Sequence, residues 1–375
     1  MKINNAQDVL NVDLNYIIKT CAKECDILAG KHILLTGGAG FLGYYLVLAI
    51  QYWNRQIADP MRKIRLSIYD HLGRGAPRWL DDVVSSDSYI TLQKYDITHP
   101  LPDDVPSFDY IMHAASIASP IFYRQNPIAT MDANVNGLRN LLNYAVRRAN
   151  QGQQIKGFLY FSSSEIYGDP TPENIPTPET YWGNVSCTGP RACYDESKRF
   201  GETMCVNFVR QHGLHITIAR PFNNYGPGLK ITDKRVLPDF ARDIIHNRDI
   251  VMYSDGTATR TFCYVADAII GYIKVLIKGE SGKSYNIGTD NPEISISGVG
   301  KLLIDISREF LGYNGKLVKY VNEDKDYLVD NPNRRCPIID RARNELGFEP
   351  CIDLEEGLKR MMLWYNENRD EGIFA

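Results

Sequence analysis

A tyrosine and a lysine stand four positions apart at Tyr194 and Lys198, inside the run 189–202, GPRACYDESKRFGE. On a helix, residues four apart share one face and lie about one turn from each other. An ammonium beside a phenol favours the phenolate and lowers its pKa from the usual ~10. Tyr194 is therefore a candidate general base for removing a proton from an alcohol, with Lys198 as its electrostatic partner. Two solvated residues on a helix satisfy the same spacing. The surrounding elements have to discriminate between these readings.

Residues 31–35 (KHILL) read as a short buried strand. They run directly into Thr36-Gly37-Gly38-Ala39-Gly40-Phe41-Leu42-Gly43 and an apolar helix over 44–51. Glycines that follow a strand and open a helix are the context of a dinucleotide loop. Gly37 permits the tight turn, Gly40 lets backbone approach a pyrophosphate, and Gly43 allows close packing of helix on sheet. The free N–H groups of the helix start, at Phe41 and Leu42, suit phosphate oxygens. A second strand over 64–69 ends in Asp70, a candidate acceptor for the ribose hydroxyls of NAD. A carboxylate there repels a 2′-phosphate and favours NAD over NADP, with Arg74 close behind as the opposing feature.

A third strand over 89–94 leads to Asp96-Ile97, where Asp96 either meets the adenine amino group or caps a turn. A fourth, 110–113, leads to Ala114-Ala115 and on to Ser119-Pro120, small residues along which a cofactor can lie. Asn134, in the helix that follows, is expected to tie adjacent strands. A fifth strand, 157–161, delivers Ser163 and Glu165 to its carboxyl end, where ligands bind in open α/β sheets. A loop over 170–188, the Tyr194/Lys198 helix to about 211 and a sixth strand over 215–219 complete the alternation. Beyond about 225 the βα rhythm loosens and arginines gather at Arg235, Arg260, Arg334 and Arg335. An amphipathic helix covers 354–367.

This pattern predicts an α/β, Rossmann-type doubly wound parallel sheet with a smaller C-terminal α/β substrate lobe. The expected parts are an N-terminal helical extension (1–30), an NAD-binding domain (31–225), and a mainly substrate-binding lobe (226–375) interleaved with it. The extension, with apolar residues from Val9 to Cys21 at helical spacing, is expected to pack outside the domain or against a second subunit. With 375 residues, 44% hydrophobic and 23% charged, the composition is that of a globular protein. A net charge of −3 gives no reason to expect nucleic-acid binding. Eight scattered cysteines without a C-x-x-C pair point to reduced thiols and no metal site. No apolar run approaches membrane-spanning length, so a soluble cytoplasmic protein is expected.

Taken together, Gly37-x-x-Gly40-x-x-Gly43, Asp70, Ser163 and Tyr194-x-x-x-Lys198 resemble the extended short-chain dehydrogenase/reductases that act on nucleotide sugars, over about residues 30–370. Ser164-Glu165-Ile166-Tyr167-Gly168-Asp169-Pro170, Tyr181-Trp182-Gly183-Asn184-Val185 and Gly189-Pro190-Arg191-x-Cys193-Tyr194-Asp195-Glu196 are most similar to the UDP-glucuronate decarboxylases. The chain departs from that pattern at Ala114 and Ile117, at Asn224, Tyr225 and Gly228, at Cys336 and Ile338, and in its extra N-terminal helix. The resemblance implies that Tyr194 takes the proton of the sugar C4 hydroxyl, Ser163 bonds the same oxygen, and hydride passes to tightly held NAD. The 4-ketone then accepts the electrons released as CO2 leaves, and hydride returns. Glu165 orders a water or handles the C5 proton. Ser119, Tyr123 and Asn223 face the substrate, Arg235 and Arg260 bind the diphosphate, and Arg335 holds the substrate carboxylate or diphosphate. Related dehydratases carry an acidic residue where this chain has Ser164, which disfavours dehydration. The alternatives are a 4-epimerase or 4,6-dehydratase-like enzyme on another nucleotide sugar, or a non-catalytic NAD-binding scaffold. A homodimer is implied, through residues 132–150 and 195–211.

Overall fold

The computed structural model describes residues 3–320, 329 and 331–369. Seven short strands carry the architecture: β1 (His32–Thr36), β2 (Arg65–Asp70), β3 (Ile90–Lys94), β4 (Tyr110–His113), β5 (Gly157–Phe161), β6 (Ile216–Pro221) and β7 (Ser284–Ile287). They pair in the order β3-β2-β1-β4-β5-β6-β7, and every pairing is parallel. A parallel sheet is covered on both faces, so its strands are apolar throughout rather than alternating. All five residues of β1 and of β5 are accordingly buried.

Helices Phe41–Gln56, Arg78–Ser86, Leu138–Asn150 and Ala192–His212 supply the crossovers. The helix Val265–Lys278 precedes β7, packs against β5 and β6, and is buried on all sides over residues 265–276. A helix that is apolar all round belongs in a core. The sheet changes direction between β1 and β4, and in such folds the ligand crevice opens at that point.

β7 was not anticipated from the sequence. Four residues with an asparagine in the third position carry no strand signal, yet Asn286 is fully buried. Its side chain donates to the Thr177 and Ile338 carbonyls and accepts from Tyr167 Oη, and its N–H donates to Glu179. Tyr285 and Ile287 are buried in the core on either side of it, and the bonds of Asn286 fix the strand between them. Through it the chain beyond residue 225 returns to the main sheet. The remaining C-terminal elements are small sheets, including one in which Thr259–Arg260 lies between Ile294–Ser295 and Arg334–Arg335, and the helices Val236–Ile245, Ile296–Leu311 and Leu354–Glu367.

The N-terminal segment forms two helices, Ala6–Thr20 and Ala22–Leu28, rather than one. The first packs within the chain, against helices Phe41–Gln56, Val265–Lys278 and Leu354–Glu367. Asp13 has no solvent exposure and accepts hydrogen bonds of 2.7 Å each from Tyr45, Tyr264 and Arg360. At the start of the helix, the Ala6 N–H donates to Glu367 near the end of the last one, at 2.7 Å.

Candidate active site

One cavity of about 1000 Å³ opens at the switch point, and every catalytic, cofactor-side and substrate-side candidate lines it, while Asn134 and Arg334 do not. At one end is the glycine loop. Gly37 has φ +76°, and a Cβ there would meet the Ala115 backbone at 2.6 Å. This close approach brings the loop after β1 against the loop after β4. Gly40 stands immediately before helix Phe41–Gln56, so the N–H groups of Phe41 and Leu42 face the cavity mouth at the positive end of the helix. A Cβ on Gly43 would strike the Gly38 carbonyl at 2.3 Å. Gly43 therefore serves the folding of the loop onto its own helix, where contact of helix on sheet was expected.

Asp70 ends β2 and accepts the N–H groups of Ala39 (3.0 Å) and Leu72 (2.8 Å). It fixes the glycine loop and keeps its carboxylate at the cavity wall. Asp96 accepts from the N–H and hydroxyl of Thr98, a turn cap, while lining the same wall beside Ile97. Within the cavity lining, the hydroxyls of Ser116 and Tyr123 are buried without a hydrogen-bond partner in the protein. A polar ligand satisfies such groups. The backbone cradle, the helix terminus and the acidic residue together fit NAD.

The catalytic candidates converge in the middle. Lys198 is 2% exposed and donates to the Phe161 carbonyl at 2.8 Å, with its ammonium 5.8 Å from the Tyr194 ring centroid. Burial pulls the Lys198 pKa down to about 7. Burial also pushes Tyr194 up to about 12, against a hydrogen bond with Ser163 that lowers it. The expected lowering of Tyr194 by Lys198 thus does not appear in the protein alone, because desolvation of the phenolate outweighs the charge nearby. The Tyr194 ring stacks on Tyr123 at 5.0 Å and 10°. His113 is buried and held near a pKa of about 3 by desolvation and Lys198, and its Nδ1 pairs with Thr36 at 2.8 Å.

Glu165 is gripped from two sides. Arg191 donates to it in a short contact, and Arg335 donates at 2.9 Å. Burial raises its pKa, but the charges of Arg191, Arg335 and, behind them, Arg260 prevail and hold it at about 2. Arg191 caps the catalytic helix, faces Asp195 at 3.6 Å and lies 5.9 Å from the Tyr123 ring. No role was expected of Arg191. Its only sequence signal is its place in the Gly189–Glu196 motif.

The other substrate-side residues are engaged differently from expectation. Arg335 is 3% exposed and also donates to the Ser164 and Gly168 carbonyls. Arg260 donates to the Thr259 and Pro332 carbonyls at 2.7 Å each. Both guanidinium groups are largely spent on backbone. Arg235 is a third exposed and pairs with Asp233 at 2.9 Å. Ser119 donates to the Asp233 carbonyl at 2.7 Å. Asn223 takes a left-handed φ of +40° and donates to the Thr261 carbonyl. Asn134 ties helices rather than strands, donating to Ser197 on the Tyr194 helix at 2.8 Å.

Among the described residues no helix is long and apolar enough to cross a membrane. Residues 33–288 match the model of the NAD dependent epimerase/dehydratase family. The chain is 38% identical to UDP-glucuronic acid decarboxylase 3 of Arabidopsis thaliana over 333 residues, which cover 88% of this chain and 87% of that protein. It is 34% identical to UDP-glucuronic acid decarboxylase 1 of Xenopus tropicalis over 338 residues, 90% of this chain and 72% of the other. In three dimensions it resembles an epimerase of Methanothermobacter thermautotrophicus with a TM-score of 0.76 and 25% identity, covering 94% of this chain and 97% of that one. It also shares the fold of the dTDP-glucose 4,6-dehydratase DesIV of Streptomyces venezuelae, solved with NAD bound, with a TM-score of 0.76 and 23% identity over 91% and 99% of the two chains. The cavity, its cradle for NAD and these matches lead to one assignment: the chain belongs to the NAD dependent epimerase/dehydratase family.

Proposed function

We propose that this protein decarboxylates UDP-glucuronate to UDP-xylose through a 4-keto intermediate. The observation that carries the reading is the pairing of Tyr194 and Ser163 beside a Glu165 held as an anion, with a serine rather than a carboxylic acid at position 164. Relatives bearing the name UDP-glucuronic acid decarboxylase at 34–38% identity support it.

When bound, NAD supplies a hydride acceptor that is restored in each turnover. Tyr194, as the phenolate, accepts the proton of the C4 hydroxyl while Ser163 holds the oxygen; burial opposes that ionised form, and the positive charge of bound NAD would offset it. The new C4 ketone lies β to the C5 carboxylate and takes up the electron pair of the breaking C5–C6 bond as CO2 leaves. A proton is then delivered to C5. Glu165 is ionised across neutral pH and has no proton of its own to give, so its role is to orient the water that delivers one. Arg235, the least committed of the three substrate-lobe arginines, binds the diphosphate. Arg260 and Arg335 shape the wall. Ser119, Tyr123 and Asn223 face the sugar nucleotide. Gly37, Gly40, Phe41, Leu42, Asp70, Asp96, Ile97, Ala114 and Ala115 line the NAD half.

The reading includes a cytoplasmic homodimer. Eight free cysteines suit a reducing compartment. Exposed Ile128, Met131 and Phe200 on neighbouring helices suit an interface.

Purified protein incubated with UDP-glucuronate and NAD should release CO2 and yield a product lighter by that mass, and Tyr194→Phe should lower turnover by about 10³-fold or more. An altered sugar of unchanged mass would instead indicate epimerisation. Absence of turnover would sink the UDP-glucuronate assignment.

A further inference from the structure

The loop after β2 and the substrate lobe meet across the cavity at one carboxylate. Asp233 has a side chain only 5% exposed. One oxygen lies 2.9 Å from Arg235 Nε, and the other lies 3.4 Å from Arg74 Nη1. Its backbone carbonyl takes the Ser119 hydroxyl, so the loop after β4 is joined as well. Around this centre the contacts are reinforced. Lys230 donates to the Arg74 carbonyl at 3.0 Å, the Arg74 guanidinium lies 4.5 Å from the Phe122 ring, and Arg235 reaches the Ala118 carbonyl at 3.5 Å. Between the ion-paired residues, Lys234 adopts φ +67°, which folds the chain sharply enough for Asp233 and Arg235 to face each other.

Two features separate this arrangement from an ordinary surface ion pair. The acceptor is buried, while its two donors come from different lobes. The cluster also holds three cations against one anion, beside a cavity that takes a dinucleotide. Guanidinium groups that are oriented but not neutralised are suited to diphosphate oxygens. Arg74 follows Asp70 by four residues, at the adenosine end of the NAD cradle, and Arg235 is the arginine assigned above to the diphosphate.

We infer that Asp233 is a positioning residue that couples the two ligands: through Arg74 it holds the loop over the cofactor, and through Arg235 it presents the guanidinium that receives the nucleotide-sugar diphosphate. The second arm rests on the nucleotide-sugar reading, whereas the first needs only the NAD site. A pinned loop retains the cofactor between turnovers, and a bound cofactor stiffens the strap that Arg235 stands on. NAD and the nucleotide therefore bind with positive cooperativity. Coupling of this kind is reciprocal.

The test uses the full chain with UDP as the nucleotide probe. Bound NAD per subunit is measured after gel filtration, and UDP affinity is measured by calorimetry with and without saturating NAD. Wild type should bind UDP about fivefold or more tightly when NAD is present. Asp233→Asn should lose NAD on the column, weaken UDP binding about tenfold, and show no difference between NAD-loaded and NAD-free forms. Asp233→Glu should recover part of the coupling. Arg74→Gln should lose NAD on the column and, with its link to Asp233 cut, bind UDP no more tightly at saturating NAD than without it.

If Asp233→Asn keeps the wild-type ratio of UDP affinities, the coupling role is overturned, whatever its melting temperature. Should that variant not fold, the Arg74→Gln/Arg235→Gln double variant removes both arms and must abolish the ratio. Failure of wild type to bind UDP at all would overturn the nucleotide-sugar reading instead. NAD retention by Asp233→Asn and Arg74→Gln would then decide the cofactor arm alone, and wild-type retention in both would overturn it.

Discussion

Glu165 owes its charge to its neighbours. The guanidinium groups of Arg191, Arg335 and Arg260 depress its pKa to about 2 from an ordinary value of 4.5. A carboxylate depressed in the folded state contributes stability that is fully present above the unfolded pKa and is lost as pH falls through the folded one. The difference corresponds to roughly 3 kcal/mol at neutral pH. Glu165→Gln should therefore be less stable at pH 7 by about that amount, and denaturant midpoints should fall less steeply for it than for wild type between pH 4.5 and 2. Parallel acid limbs would show that Arg191 and Arg335 do not hold this charge. Tyr194 and Lys198 were legible in the sequence because their relation is local, one helical turn. The sign of their electrostatics was not, since burial is set by residues far away in the chain. Likewise Arg191 and Arg335 reach Glu165 across 26 and 170 residues, and no periodicity records such pairings.

Six of the seven strands can be read from short apolar runs, with ends within a residue or two of those observed. They are buried on both faces, and parallel strands advertise this as continuous hydrophobicity. β7 is the exception, because its two apolar residues, Tyr285 and Ile287, are too short a run to stand out, and the side-chain bonds of Asn286 complete its anchoring. Replacing Asn286 with Ala removes one acceptor and two donated bonds in a fully buried place, leaving Tyr167 and the Thr177 and Ile338 carbonyls with fewer partners. A loss of about 2–4 kcal/mol is expected in denaturant unfolding. The same change should loosen the 164–181 segment that carries Glu165, visible as faster amide exchange there than in β1. A loss below about 0.5 kcal/mol would mean that β7 is held by its backbone ladder alone.

The first 30 residues, expected as a helical extension packed outside the domain, are tied to the rest of the chain for a reason that lies partly in the last described helix. Asp13 serves Tyr45 on the helix after the glycine loop, Tyr264 beside the substrate-lobe strands, and Arg360 on the last helix. Substituting Asp13 with Ala leaves two buried phenols without their acceptor and a guanidinium that is 13% exposed with only Glu356 as its ion-pair partner, for an expected cost of about 2–4 kcal/mol. Thermal unfolding should shift down in one cooperative step. A separate low-temperature transition would mean that the N-terminal helices melt independently. Because Ala6 is hydrogen-bonded to Glu367, the described chain ends within one hydrogen bond of where it begins. In effect the described chain is a nearly closed loop: Ala6–Thr20 has its full set of partners only when Leu354–Glu367 is in place, so a clasp between residues 361 positions apart holds the two lobes together.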